Sequence, residues 1–258
     1  MNRNRRLTQR SGLTAAVLLL ILTSTAFAAQ KHVPIPEEIE WTWEVRPPHP
    51  DTKLPNVLVL GDSISRNYFP EVTKDLAGTA NVYLMASSTS VGDPRLPREI
   101  REFAAMENVP FRVVHFNNGM HGWGYTEAQY KAAFPNFLRT VRSLVHGNSA
   151  LIWATTTPVQ PQALNGATNL RIDSRNAIAL SFIDAAHISI DDQHALMMQH
   201  RDLYQDTVHF NNEGSKLMGD QTAAAIRKQL GQSGTRLGRQ RKHHGDARRA
   251  CLAGACAC

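Results

Sequence analysis

Two short stretches carry side chains able to do nucleophilic chemistry. In "NVLVLGDSISRN", residues 56 to 67, an apolar run leads straight into Gly61-Asp62-Ser63. In "DTVHFNNEG", Asp206 stands three residues ahead of His209. A serine hydroxyl is a poor nucleophile at neutral pH. It works when an imidazole takes its proton and a carboxylate orients that imidazole. Within a turn, the Asp-x-x-His spacing can fold the carboxylate back onto Nδ1 and leave Nε2 facing outward. Alone, Gly-Asp-Ser after a strand reads equally well as turn chemistry, and an isolated Asp-x-x-His is common. Together they sharpen one another. Eight of the ten other histidines stand in blander places: His32 and His49 in a proline-rich arm, His243 and His244 near the C-terminus, His146 at a helix end, His187 at a strand start, and His194 and His200 in a polar connection.

The elements that must position these groups follow from hydrophobic periodicity. Short apolar runs at 56–61, 80–85, 111–117, 150–156 and 187–190 read as strands. Between and after them, stretches near 66–77, 95–107, 126–145, 169–185 and 213–230 have helical period. In the segment 126–145, Tyr130, Phe134, Phe137, Leu138 and Val141 recur at three- and four-residue steps, so one apolar face lies on a sheet. Thr126 with Gln129 forms a capping box at its start, and His146-Gly147 is expected to close it. Strands alternating with helices predict an α/β fold: a three-layer α/β/α sandwich around a parallel sheet of about five strands. In such sheets the ligand crevice lies at the carboxyl ends of the strands. Residues 29–55 hold six prolines from Pro34 to Pro55 together with Trp41 and Trp43. They predict an extended arm that packs its aromatics on the body.

Charge and cysteine usage narrow the function classes. The net charge of +6 is terminal in origin. Residues 1–28 carry Arg3, Arg5, Arg6 and Arg10 without an acid, and residues from Gly231 onward carry six cations against Asp246. Setting aside +4 and +5 leaves the body at −3, so no basic face for nucleic acid is implied. The first segment has a positive start, an apolar run from Ala15 to Leu22 and the small-x-small site Ala26-Phe27-Ala28, the pattern of a cleavable secretory signal. A secreted or periplasmic product with no stable membrane insertion is expected. Cys251, Cys256 and Cys258 all lie in the basic tail 231–258, which reads as disordered and matches no zinc spacing. The body must therefore be held by its core, and about 200 residues suffice for one.

With these blocks in view, the chain resembles the SGNH, or GDSL-type, hydrolases over residues 56–230. The family's first block matches Gly61-Asp62-Ser63, and its last, Asp-x-x-His, matches Asp206 to His209 before the final helix. The resemblance implies a flavodoxin-like fold, Ser63 as nucleophile, His209 as base and then acid, and Asp206 as its orienter. A Gly-x-Ser-x-Gly elbow is absent, which separates the chain from the other large class of α/β serine hydrolases. In the oxyanion hole the family uses the nucleophile's backbone N–H, a second-block glycine, and an Asn side chain in Gly-x-Asn-Asp. Ser63 supplies the first and "SSTSVGDP" offers Gly92 as the second, with Ser88 and Ser90 as competitors. The third block departs from the pattern, reading "HFNNGMHGW", and resembles a branch with Asn-x-Gly-x-His. It leaves His121 or Asn117 as the third donor. Trp123 and Tyr125 follow this block and are candidates for lining the pocket.

The resemblance implies a serine esterase working through an acyl-enzyme on a carbohydrate or other small-molecule ester, with a small acyl group such as acetyl named first. It implies neither metal nor organic cofactor. Two alternatives belong to other classes: a non-catalytic carbohydrate-binding protein on the same fold, and a metal-dependent hydrolase using Asp62, His115, His121 and His209.

Overall fold

The computed structural model of the protein describes residues 33–162 and 166–231. The signal-like segment 1–28 and the tail beyond residue 231 lie outside the described residues. The strands are β1 (Thr42–Val45), β2 (Asn56–Gly61), β3 (Asn81–Ser87), β4 (Phe111–Phe116), β5 (Val145–Ala154) and β6 (Ser189–Asp191). The helices are α1 (Ser63–Asp75), α2 (Leu96–Glu107), α3 (Glu127–Arg142), α4 (Asn169–Ala185), the short α5 (Gln193–Met198) and a last helix α6 over 212–231.

The sheet order is β1-β3-β2-β4-β5-β6. The five strands β2 to β6 run parallel, in the doubly wound order 2-1-3-4-5 when counted by themselves. The order reverses between β2 and β4, so the crevice that receives ligands opens beyond the carboxyl ends of these two strands. Ser63 follows β2 and the block "NNGMHG" follows β4.

Strand alternation builds both outer layers. Val57 and Val59 point to the face covered by α1 and α6, where Ile64, Tyr68, Val72, Met218 and Ile226 pack. Leu58 and Leu60 point to the other face, under Leu96, Ile100, Phe134, Phe137, Val141 and Ile183 of α2, α3 and α4. The central strands β2, β3 and β4 are buried on both sides, which is why their sequences read as near-continuous apolar runs.

Two expectations need correction. The sheet has six strands rather than about five, because the extended arm contributes one: Thr42–Val45 pairs antiparallel with β3 at the sheet edge. Helix α3 ends at Arg142, with Ser143 as its cap, and His146-Gly147 belongs to β5. Val145 pairs with Phe111 across an irregularity in the ladder, and Gly147 takes a φ of +58° there. The capping box of Thr126 and Gln129 is present as read.

Candidate active site

Ser63 is the first residue of α1. Asp62 caps that helix with extended backbone angles, and its carboxylate accepts from the Ile64 N–H at 3.0 Å. The first N–H groups of a helix have no intrahelical acceptor, and they carry the positive end of the helix dipole. A negative charge developing beside Ser63 would meet that end. Gly61 lets the strand turn into the helix so tightly because a Cβ there would collide with the Ser65 side chain.

The second stretch folds as its spacing suggests. The chain from Tyr204 to Phe210 closes on itself through a Tyr204–Phe210 bridge, with the two rings stacked at 4.4 Å. One Asp206 oxygen accepts from the backbone N–H of Val208 at 2.8 Å and of His209 at 2.7 Å; the other accepts from His209 Nδ1 at 2.9 Å. Burial alone would raise the Asp206 carboxyl, but these hydrogen bonds and the facing imidazole outweigh it and hold the group below the usual carboxylate range. A carboxylate only accepts, so Nδ1 carries the proton and Nε2 presents a lone pair. His209 Nε2 lies 2.7 Å from Ser63 Oγ. The two stretches, 146 residues apart, thus meet in one chain of hydrogen bonds.

They meet at a cavity of about 260 Å³ lined by Glu37, Ser63, Met120, His121, Trp123 and the segment Asp206–His209, with Ala167. Larger grooves at the β6 edge hold none of these residues.

The third block is shaped by a residue that periodicity assigns to a helix interior. Arg175 of α4 is buried, and its guanidinium donates to the carbonyl oxygens of Gly119 (3.0 Å), His121 (2.7 Å) and Gly122 (2.9 Å). It also lies 4.0 Å over the Trp123 ring. Burial pushes its pKa down to about 10. Arg171, one turn earlier, bonds Glu127 and the carbonyls of Trp123 and Tyr125. Gly122 sits at φ +71°, a region that strains any residue with a Cβ.

Of the candidate oxyanion donors, the structure brings Ser63 and His121 to the cavity and does not bring Asn117 or Gly92. The Asn117 amide donates downward to the Ala154 carbonyl at 2.6 Å and to Thr156 Oγ1 at 3.1 Å, bracing β4 against β5. The Gly92 N–H donates to Ser90 Oγ at 3.2 Å, and a Cβ at this position would collide with the Tyr125 ring. Ser88 is taken up by Glu40 and Trp41 of the arm. Tyr125 also leaves the pocket: it is buried, and its hydroxyl accepts from the Ile35 N–H at 2.6 Å. Trp123 does line the cavity.

Among the described residues, Asp62, His115, His121 and His209 do not converge as a ligand set, although His121 and His209 line one cavity. His115 is buried in β4 against Asp191 at 2.8 Å, His121 bonds Glu37, and His209 is engaged between Ser63 and Asp206. Among the described residues, the acidic and imidazole atoms that do converge are those of Glu71, Asp75 and Asp220 on α1 and α6, and no argument attaches to them.

Sequence reasoning missed Glu37 and Arg175. Glu37 Oε2 accepts from His121 Nδ1 at 2.9 Å and Oε1 from the Gly122 N–H at 2.7 Å. Nothing in a proline-rich arm signals a partner 84 residues away. An arginine at an otherwise core-facing position of α4 is a signal that was available.

No protein-family model matches the chain, and no curated protein matches it. Solved structures do. A GDSL-like lipase from Bacteroides thetaiotaomicron superposes with a TM-score of 0.55 at 16% identity, over 69% of this chain and 91% of that one. An acetyl xylan esterase superposes at 0.52 and 16% identity, covering 66% and 99%. The C-terminal catalytic domain of a peptidoglycan O-acetyltransferase from Streptococcus pneumoniae gives 0.52 at 14% identity, covering 69% and 95%. What these likenesses share with the chain is the three-layer fold with its mostly parallel sheet.

Proposed function

We propose that this chain, which has the fold of the SGNH hydrolases, is a serine esterase that acts through an acyl-enzyme. The observation carrying the reading is the pair of hydrogen bonds from Asp206 through His209 to Ser63, at 2.9 and 2.7 Å, opening on a cavity at the sheet's switch point. Ser63 Oγ attacks the ester carbonyl carbon while its proton passes to His209 Nε2. The carbonyl oxygen becomes an oxyanion, held by the Ser63 N–H, the positive end of α1 and the His121 side chain. His209 then returns the proton to the leaving alkoxide as the carbon–oxygen bond breaks. Water, deprotonated by the same imidazole, releases the acid and restores Ser63. The residues that act here need neither metal nor cofactor.

The substrate we favour is a small acyl ester, acetyl first, on a carbohydrate. Support comes from the modest cavity, from the Trp123 ring on its wall, and from the acetyl xylan esterase and the peptidoglycan O-acetyltransferase among the structural neighbours. We further propose export from the cytoplasm, resting on the signal pattern of residues 1–28.

Hydrolysis of p-nitrophenyl acetate and of acetylated xylooligosaccharides by the wild-type chain and by Ser63→Ala tests the reading. Turnover by the wild type that is lost in the variant is expected. Binding of the acetylated sugar without hydrolysis would favour the non-catalytic alternative instead, and turnover that survives Ser63→Ala but not a chelator would favour a metal.

A further inference from the structure

Two histidines face the cavity, and each is held through Nδ1 by a carboxylate that can only accept. The consequences differ. For His209 the Nδ1 proton leaves a lone pair on Nε2, which is what a base needs. For His121 the same lone pair would repel an oxyanion. His121 can stabilise one only when Nε2 also carries a proton, so the ring must be an imidazolium.

The surroundings favour that form. His121 Nε2 is buried and has no hydrogen-bond partner. Glu37 contributes its ionised carboxylate to the ring and to the Gly122 N–H. Asp62, at the turn before α1, and Glu40, on the arm, add negative potential. From α4, Arg175 donates to the His121 carbonyl and opposes them at longer range. Across the cavity stand Asp206 and His209. Burial alone would lower the imidazole, but the hydrogen bond to Glu37 and the charges of Asp62, Glu37 and Glu40 outweigh it, and His121 is raised above its ordinary value. Glu37 is lowered, because its bonds to His121 and Gly122 and the charge of Arg175 overcome its own burial.

Glu37 is held as firmly as the ring it grips. Two residues ahead of it, the Ile35 N–H donates to Tyr125. After it, Glu40 bonds Ser88 and Arg95, and before β1 begins the Trp41 N–H donates to Ser88 Oγ while the Trp41 carbonyl accepts from the Ser88 N–H. The Trp41 ring meets His121 edge-on at 5.8 Å. The arm is thereby stitched to the loops after both β3 and β4, and the carboxylate between its two anchor points has little freedom.

We infer that Glu37 is a positioning residue of this active site: the arm supplies it to fix His121 by Nδ1 and keep the ring doubly protonated, with Nε2–H as the oxyanion donor. The inference rests on the esterase reading above, and it adds that the arm is part of the site. It also gives the reaction an alkaline limit. As pH rises through the raised His121 pKa the donor becomes an acceptor, and turnover falls.

The substitution Glu37→Gln keeps the shape and removes the charge. Its single acceptor cannot serve both the Gly122 N–H and the Nδ1–H, and its amide must face one of them. The test combines kcat and KM across pH for wild type, Glu37→Gln and Glu37→Ala with an NMR titration of the histidine rings, repeated in Ser63→Ala, and thermal melting of each variant. Expected for Glu37→Gln are a kcat lower by about 10- to 100-fold, KM within about threefold, and a His121 titration and alkaline limb both moved down by about one pH unit. An unmoved His121 titration and limb would overturn the proposal, even if activity and melting temperature dropped together, since that would mark Glu37 as a mere brace for the loop. Failure of the esterase reading shows separately, as a wild-type chain that neither turns over esters nor reacts at Ser63 while the NMR shift still reports on Glu37.

Discussion

On the proposed mechanism, Ser63, His209 and Asp206 divide the labour in a way that single substitutions can separate. Asp206 is half exposed at the surface, so its hydrogen bonds to His209 are screened and stabilise the fold little. Asp206→Asn should leave unfolding free energy within about 1 kcal/mol of wild type and lower kcat by roughly 10³- to 10⁴-fold, because the amide permits the wrong imidazole tautomer. Kinetics and denaturant melts on the same preparation check this, and equal relative losses in both would make the pair structural. The sequence made these three residues legible because each lies within a short local block. It left His121 and Asn117 both open, since chain order alone does not say which side chain a loop turns inward. The geometry separates them: His121→Ala should lower kcat by about 10²-fold or more. Asn117→Ala should act on stability, through its lost bonds to Ala154 and Thr156.

At the scale of elements, the five parallel strands and their covering helices could be read from periodicity, with boundaries off by a few residues. The errors have one cause. Where an element's place is set by a distant partner, the local pattern misleads: β1 exists because the edge of β3 accepts it, and Val145–Asn148 is strand because Val145 finds Phe111. The loop after β4 shows the same dependence. Three of its carbonyls converge on the buried Arg175 guanidinium. Arg175→Met would fill similar space but strand all three acceptors. It is expected to destabilise by about 3 kcal/mol or more and to lower kcat as well, since His121 and Gly122 lose their support. Denaturant unfolding measures the first effect, and a change below about 1 kcal/mol would show that the loop holds itself.

For the whole molecule, the proposal of a short acyl group rests on the modest size of the cavity, about 260 Å³ between loops. Across p-nitrophenyl esters, kcat/KM should be highest for acetate or propionate and fall by about tenfold or more at octanoate; a rise with chain length would point to lipid instead. Stability should also depend on acid. Asp191 is buried against His115, Gln193, Gln221 and Thr222; burial alone would raise its carboxyl, yet these partners hold it below the usual range. A group depressed in the folded state lends stability above its unfolded pKa, about 3.9, and loses it as pH falls through the folded value. Unfolding free energy is therefore expected to fall below about pH 4, and Asp191→Asn should flatten that decline. The most direct measurement is active-site titration with a fluorophosphonate followed by peptide mass mapping. One label per chain on Ser63, absent in Ser63→Ala and slowed by about 100-fold or more in His209→Ala, is the expected result. A folded wild-type chain that takes no label, or takes it elsewhere, would contradict Ser63 as the nucleophile.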